Sequence, residues 1–160
     1  MDKARIQHLI IDKLSDDLDL LQRAAQTAYE AATHEENVAE NKYDTLGLEA
    51  SYLATGQARR AAEIKQAIGL FQNLVLREHD PALGIQLSAL VHLETENGSG
   101  QLLFLGPEAA GLKVQGEHGE ITVITPRSPL GQALLGKDAG AEITLMIGGT
   151  RQCYEVIAAH

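Results

Sequence analysis

The residues best suited to chemistry crowd into one short stretch, ATHEENVAENKYDT (32–45). Four of its fourteen residues are acidic: Glu35, Glu36, Glu40 and Asp44. Carboxylates are hard oxygen donors, and Mg2+ takes one or two of them together with phosphates and waters. The stretch supplies carboxylates and no phosphate, so a metal site built on it needs a partner to complete it. The competing explanation is a solvated polar turn, which is what charge runs usually are.

The other candidates are weaker. HEEN (34–37) has no second His four residues beyond His34, so it is not a zincin motif. GQALLGKD (131–138) begins like a phosphate-binding P-loop. Its spacer is helix-forming, however, and Asp138 stands where the Mg2+-binding hydroxyl belongs. Ser128 lacks the His and Asp pattern that would make it a nucleophile. Cys153 is the single cysteine, which excludes an internal disulfide. Its alternating context, TRQCYEV, describes a packed thiol rather than a reactive one. No triad, dyad or apolar catalytic pocket can be assembled from these residues, so a free-standing hydrolase or isomerase is disfavoured and no enzyme activity of its own is expected.

Composition narrows the partners. The formal net charge is −9 and aromatic residues are 4% of the chain. A phosphate-backbone binder needs a basic stripe, and a base-stacking surface needs aromatic platforms. An acidic chain suits a basic partner surface or a cation. The amino-terminal run MDKARIQHLIIDKLSDD is too charged for a secretory signal, and no run approaches about 18 apolar residues. A cytoplasmic, soluble protein without membrane contact is expected.

The elements that must position the acidic stretch come next. Ile10, Leu14, Leu18, Leu21, Ala25, Ala28 and Ala32 recur at helical spacing before it. Ala50, Ala54, Ala58, Ala61, Ile64, Ile68, Phe71 and Val75 recur after it. Two helices of about 30 residues, each roughly 45–50 Å long, are predicted to pack antiparallel as a coiled-coil hairpin. Their large seam residues lie at the open end and alanines toward the acidic tip.

The grammar changes after HDPALG (79–84). All four Pro and twelve of the fifteen Gly lie from Pro81 onward. Strands are predicted over 85–94, 101–105, 120–125, 142–147 and 152–157. Asn97-Gly98 and Gly148-Gly149 are the hairpin turns, and SPLGQALLGK (128–137) is one short helix. The fold class is α+β. A hairpin domain spans residues 1–80, and a small antiparallel β-sheet domain with one helix spans 81–160.

This architecture resembles the bacterial GreA/GreB transcript-cleavage factor family over essentially the whole chain. The most specific part is ITVITPRSPLGQALLGKDAGAEITLMIGGTRQCYEV (121–156). Ser128, Pro129, Gly131, Ala133, Leu134, Gly136, Lys137, Gly140, Tyr154 and Glu155 stand in the family's pattern. The resemblance implies an FKBP-like carboxy-terminal domain, although a prolyl-isomerase pocket is not evident with only Phe104 and Tyr154 available. It implies RNA polymerase as the partner, with RNA met only through that complex, and docking through Ser128, Pro129, Leu130 and Gly131. It implies that the hairpin enters the polymerase secondary channel, where tip carboxylates help hold Mg2+ for cleavage of backtracked RNA. Glu40 and Asp44 are the candidates for that role. No cofactor of the chain's own is implied, only Mg2+ shared with the polymerase, and a monomer is expected.

The tip departs from the family's D-x-x-E-N-x-E-Y. If Glu40-Asn41 is the E-N pair, Asn37 occupies the Asp position and Tyr43 arrives one place early. If Tyr52 is the Tyr, Leu48-Glu49 replaces E-N and Asp44 falls one step out of register. Neither alignment restores the paired carboxylates. Polymerase binding is therefore the stronger expectation, and cleavage stimulation the weaker one. The alternatives are a non-catalytic inhibitor in the channel and a coiled-coil adaptor.

Overall fold

The computed structural model describes residues 2–33 and 46–160. The chain divides into two compact units: Asp12–Ile68, and Met1–Ile11 with Gly69–His160. Two long helices are present, α1 (Lys3–Thr33) and α2 (Leu46–Gln72).

In the first unit, Leu14 of α1 and Ala61, Ile64 and Ala67 of α2 are buried. Leu18, Leu21 and Ala25 are half-buried, while Leu20 is exposed. The apolar stripe on α1 follows the spacing of the sequence. On α2 it deviates: Ala58 is exposed and Gln57 is half-buried in its place. At about 100° per residue, Ala58 lies well off the stripe defined by Ala61, Ile64 and Ile68, while Gln57 lies on it. Val75 is also outside the seam, because α2 ends at Gln72 and Val75 is 68% exposed. Asn73 closes that end by donating both its backbone N–H and its side-chain amide to the Gly69 carbonyl, at 3.1 and 3.0 Å.

The second unit holds a six-stranded sheet. Its strands are β1 (Leu90–Thr95), β2 (Gly100–Leu105), β3 (Lys113–Gly116), β4 (Gly119–Ile124), β5 (Glu142–Ile147) and β6 (Thr150–Ala159). A short helix, α3 (Pro129–Leu134), follows β4. The order is β3-β4-β2-β1-β6-β5. Four pairings are antiparallel, but β2 and β4 run parallel, with Phe104 opposite Val123. The sheet is therefore mixed rather than purely antiparallel. β4 enters between β2 and β3, so only its β3 side is a hairpin.

Two strand expectations also change. β3 was not anticipated, because four residues around a Lys carry too little alternation to stand out. The strand predicted over 85–94 starts only at Leu90, since Ile85 pairs elsewhere. Its N–H donates to Lys137 O at 2.7 Å and its carbonyl accepts from Gly136 N at 2.9 Å. Ser88 then takes a φ of 78°, which no regular strand residue adopts.

Successive strand residues face opposite sides, so the sheet has two apolar faces. On one, Val91, Leu93, Leu103, Leu105, Ile124, Ile143 and Val156 pack with Leu134, and Leu130 and Ala133 of α3 rest against them. On the other, Leu90, Phe104, Ile121 and Val123 are buried. Phe71, at the end of α2, lies so close to Gly106 that a Cβ there would meet its ring at 2.7 Å. The start of α1 brings Ile6 and Leu9 beside Leu102 and Ile121. The two helix ends are tied together where Gln7 Nε2 donates to Phe71 O at 2.6 Å and to Leu74 O at 3.2 Å.

Candidate functional site

The Ser128–Gly131 turn is built by local rules. Ser128 is the N-cap of α3, with extended backbone at φ −75° and ψ 154°. Its Oγ accepts the Gly131 N–H at 3.0 Å and donates to Thr125 O at 2.9 Å. Such a cap satisfies a helix N–H that has no partner within the helix. Pro129 occupies the first helical position, where its missing N–H costs nothing. Gly131 is buried, and a Cβ there would come within 1.9 Å of Thr125 O. Only glycine fits that approach.

The far end of α3 follows the same logic. Gly136 has a φ of 78°, the left-handed conformation that ends helices. Gly84 crosses it so closely that a Cβ would meet the Gly136 carbonyl at 2.3 Å. Most positions of the SPLGQALLGK pattern thus have a folding role in this chain: a cap, a first-turn proline, two core contacts, a glycine without room for a side chain at 131 and a left-handed glycine at 136. Around the turn Arg127, Pro129 and Gln132 are exposed, and past it Leu135, Gly136 and Lys137. Arg127 reaches Glu108 at 3.1 Å. Leu130 is half-buried, so any surface offered to a partner by Ser128–Gly131 is centred on Pro129.

Glu40 and Asp44, with Glu35 and Glu36, lie outside the described residues. Among the described residues, no group of three or more His, Cys, Asp or Glu is placed to hold a metal.

Structure adds two charged features that the sequence did not reveal. The first is a rung of three glutamates across neighbouring strands. Glu94 is opposite Glu155, and Glu155 is opposite Glu142. Like charges directly opposed destabilise a sheet. The rung depends on strand order and register, neither of which the spacing of three distant residues can disclose. The second is a pair joining the 79–84 linker to the loop after α3. His79 Nε2 lies 2.7 Å from Asp138 Oδ1. The Asp138 carboxyl is held below its usual range, first by the Ala139 N–H and then by His79. Lys3, whose ammonium donates to the carbonyls of Arg77 and His160, is pushed below its usual range by burial, against the opposing pull of Glu78.

Cys153 is half-buried, and its sulfur lies 3.7 Å from Thr144 Oγ1, in keeping with a packed thiol. No described helix is long and apolar enough to cross a membrane.

No protein-family model matches the chain, and no curated protein matches it significantly. Several solved structures do. GreA factor homolog 1 (Gfh1) of Thermus thermophilus is 23% identical over 94% of each chain, with a TM-score of 0.39. Thermus aquaticus Gfh1 is 25% identical, covers 100% of this chain and 96% of its own, and has a TM-score of 0.39. The prokaryotic transcription elongation factor GreA/GreB from Nitrosomonas europaea is 18% identical, covers 70% of this chain and 91% of its own, and has a TM-score of 0.38. All three TM-scores fall below 0.5.

Proposed function

We propose that this chain is a transcription-factor-like regulator that binds RNA polymerase at its secondary channel and presents the acidic stretch 32–45 there. One observation carries this conclusion: the run 121–156, whose spaced Ser, Pro, Gly, Lys, Tyr and Glu residues match the GreA/GreB pattern in register. A second observation supports it. The acidic stretch is flanked by α1 and α2, helices of 31 and 27 residues. Two helices of this length on either side of the stretch match the helical hairpin that the GreA/GreB resemblance implies.

The chain acts on an enzyme rather than as one. Its candidate tip donors, Glu40 and Asp44, are carboxylates, the donor type that Mg2+ accepts. An ion shared with the polymerase would activate water for phosphodiester hydrolysis. The chain's own part is to carry negative charge into the channel and to hold the base in place through the surface around Pro129.

A non-catalytic version is favoured by a specific departure. The tip lacks the paired carboxylates at the family spacing, so occupancy of the channel without RNA cleavage fits the residues better than full cleavage stimulation. Co-purification with core RNA polymerase, competed away by a known channel-binding factor, is the expected result. Absence of association at moderate salt would leave the adaptor module as the surviving explanation. Stalled, backtracked complexes then separate the two versions. RNA shortening that disappears with Glu40→Ala and Asp44→Ala, while binding persists, identifies metal-holding carboxylates. Slowed elongation without shortening identifies the inhibitor.

A further inference from the structure

The two edges of the sheet are not equally protected. Sheet edges expose unpaired N–H and C=O groups, and proteins blunt them with short strands, Lys, Pro or bulges. β3 is four residues long and carries Lys113, which reaches Glu120 at 3.5 Å. β5, EITLMI, is six residues long, with no Lys, Arg or Pro. Its register with β6 runs unbroken from Glu142 to Ile147. Met146 and Ile147 are 69% and 50% exposed.

The phase of the β5–β6 ladder tells which backbone groups are free. Gly148 and Gly149 have φ values of 58° and 80°, the two positive angles of a type I′ two-residue hairpin. Such a turn makes its flanking residues, Ile147 and Thr150, a hydrogen-bonded pair. Antiparallel pairs alternate, so Ile147, Leu145 and Ile143 direct their backbone groups toward β6. The Val156 N–H donating to Ala141 O at 2.8 Å follows the same phase. Glu142, Thr144 and Met146 therefore direct their N–H and C=O groups outward.

We propose that β5 is a self-association edge, pairing antiparallel with β5 of a second copy about a two-fold axis at Thr144. This register pairs all three outward-facing residues, Glu142, Thr144 and Met146, within the strand. It sets Thr144 opposite Thr144 of the second copy, Glu142 opposite its Met146, and Ile143 opposite its Leu145. Apolar residues meet apolar residues on the face that already holds Ile143 and Leu145 in the core. The strand's one charge, Glu142, meets a thioether rather than its own copy. Centring the axis on Leu145 would pair Thr144 with Met146 but set Glu142 opposite Gly148 of the turn, so only two of the three outward-facing residues would find a partner within the strand. Joining two six-stranded sheets at one short edge gives an interface at the small end of the specific range, so the dimer is weak and concentration-dependent. This inference is independent of polymerase binding and runs against the monomer that the sequence led us to expect.

Sedimentation of the whole chain tests it. Over a roughly hundredfold rise in concentration, the weight-average mass is expected to climb from 17.2 kDa toward twice that value. Thr144→Lys and Thr144→Glu, which set like charges against each other at the axis, are expected to stay at the monomer mass with unchanged circular dichroism. An equimolar mixture of the two variants should regain association, because opposite charges then meet. A wild-type mass that stays flat across the range overturns the proposal. So do Lys and Glu variants that associate like the wild type, or a mixture that fails to recover.

Discussion

The two apolar faces of the sheet are covered by different means. One is sealed by bulk: Phe71 from the end of α2, with Ile6 and Leu9 from the start of α1. The other is sealed by fit. A helix of only six residues lies on it, held by a serine cap and by glycines with no space for a methyl group. Bulk tolerates small adjustments and fails when volume is removed. Fit tolerates nothing added, even at positions that contribute no apolar surface.

The difference can be broken from the bulk side first. Phe71 is fully buried, and Phe71→Ala should cost about 3–5 kcal/mol, the usual penalty for emptying an aromatic site. Urea denaturation would read it directly; a loss under about 1 kcal/mol would mean that the helix ends do not seal that face. On the fit side, Gly131→Ala adds one methyl group against Thr125 O. Overpacking of this kind costs about 1–3 kcal/mol, and here the obstruction is backbone, which yields least. An unchanged midpoint for Gly131→Ala would remove the steric explanation of that glycine. Ser128→Ala should cost about 1 kcal/mol through the lost cap, and Ser128→Asp should recover most of it.

The smallest expected effect depends on pH. Asp138 has its carboxyl held below the ordinary 3.8, chiefly by the Ala139 N–H and then by His79. A depressed carboxylate contributes stability that is complete above its unfolded pKa and is lost as pH falls through the folded one. Asp138→Asn should therefore be less stable than the wild type at neutral pH, with the gap closing as pH drops below the ordinary value. A gap that stays constant through the acid range would show that the Asp138 charge does not matter.

Much of this fold could be read from the sequence, and the exceptions have physical causes. The β5 boundaries, both glycine turns and the short helix after Ser128 followed directly from alternation and turn chemistry. Leu14, Ile64 and Phe71 were in the seam because helical spacing marks a buried stripe. Ala58 and Val75 were misplaced because steps of three and four accumulate an angular error, and because nothing in the composition announces that α2 stops at Gln72. The parallel β2–β4 pair and the glutamate rung were invisible, since both arise from which strands become neighbours. At the candidate site, the GreA/GreB resemblance marks the SPLG turn as a docking segment. The structure adds that the same residues are demanded by the helix they start. Within SPLG, Pro129 is the exposed residue left for a partner.

The strand order has a consequence for how the chain is made. Each outermost strand is synthesised before the neighbour that holds it: β3 before β4, and β5 before β6. During translation neither can be incorporated on arrival. Both must wait, unclamped, until the next segment leaves the ribosome and slots in on the inner side. β3 waits across a two-residue gap and β5 across another, so the delays are brief, yet they fall at the two places where a nascent chain is most open to pairing with the wrong strand.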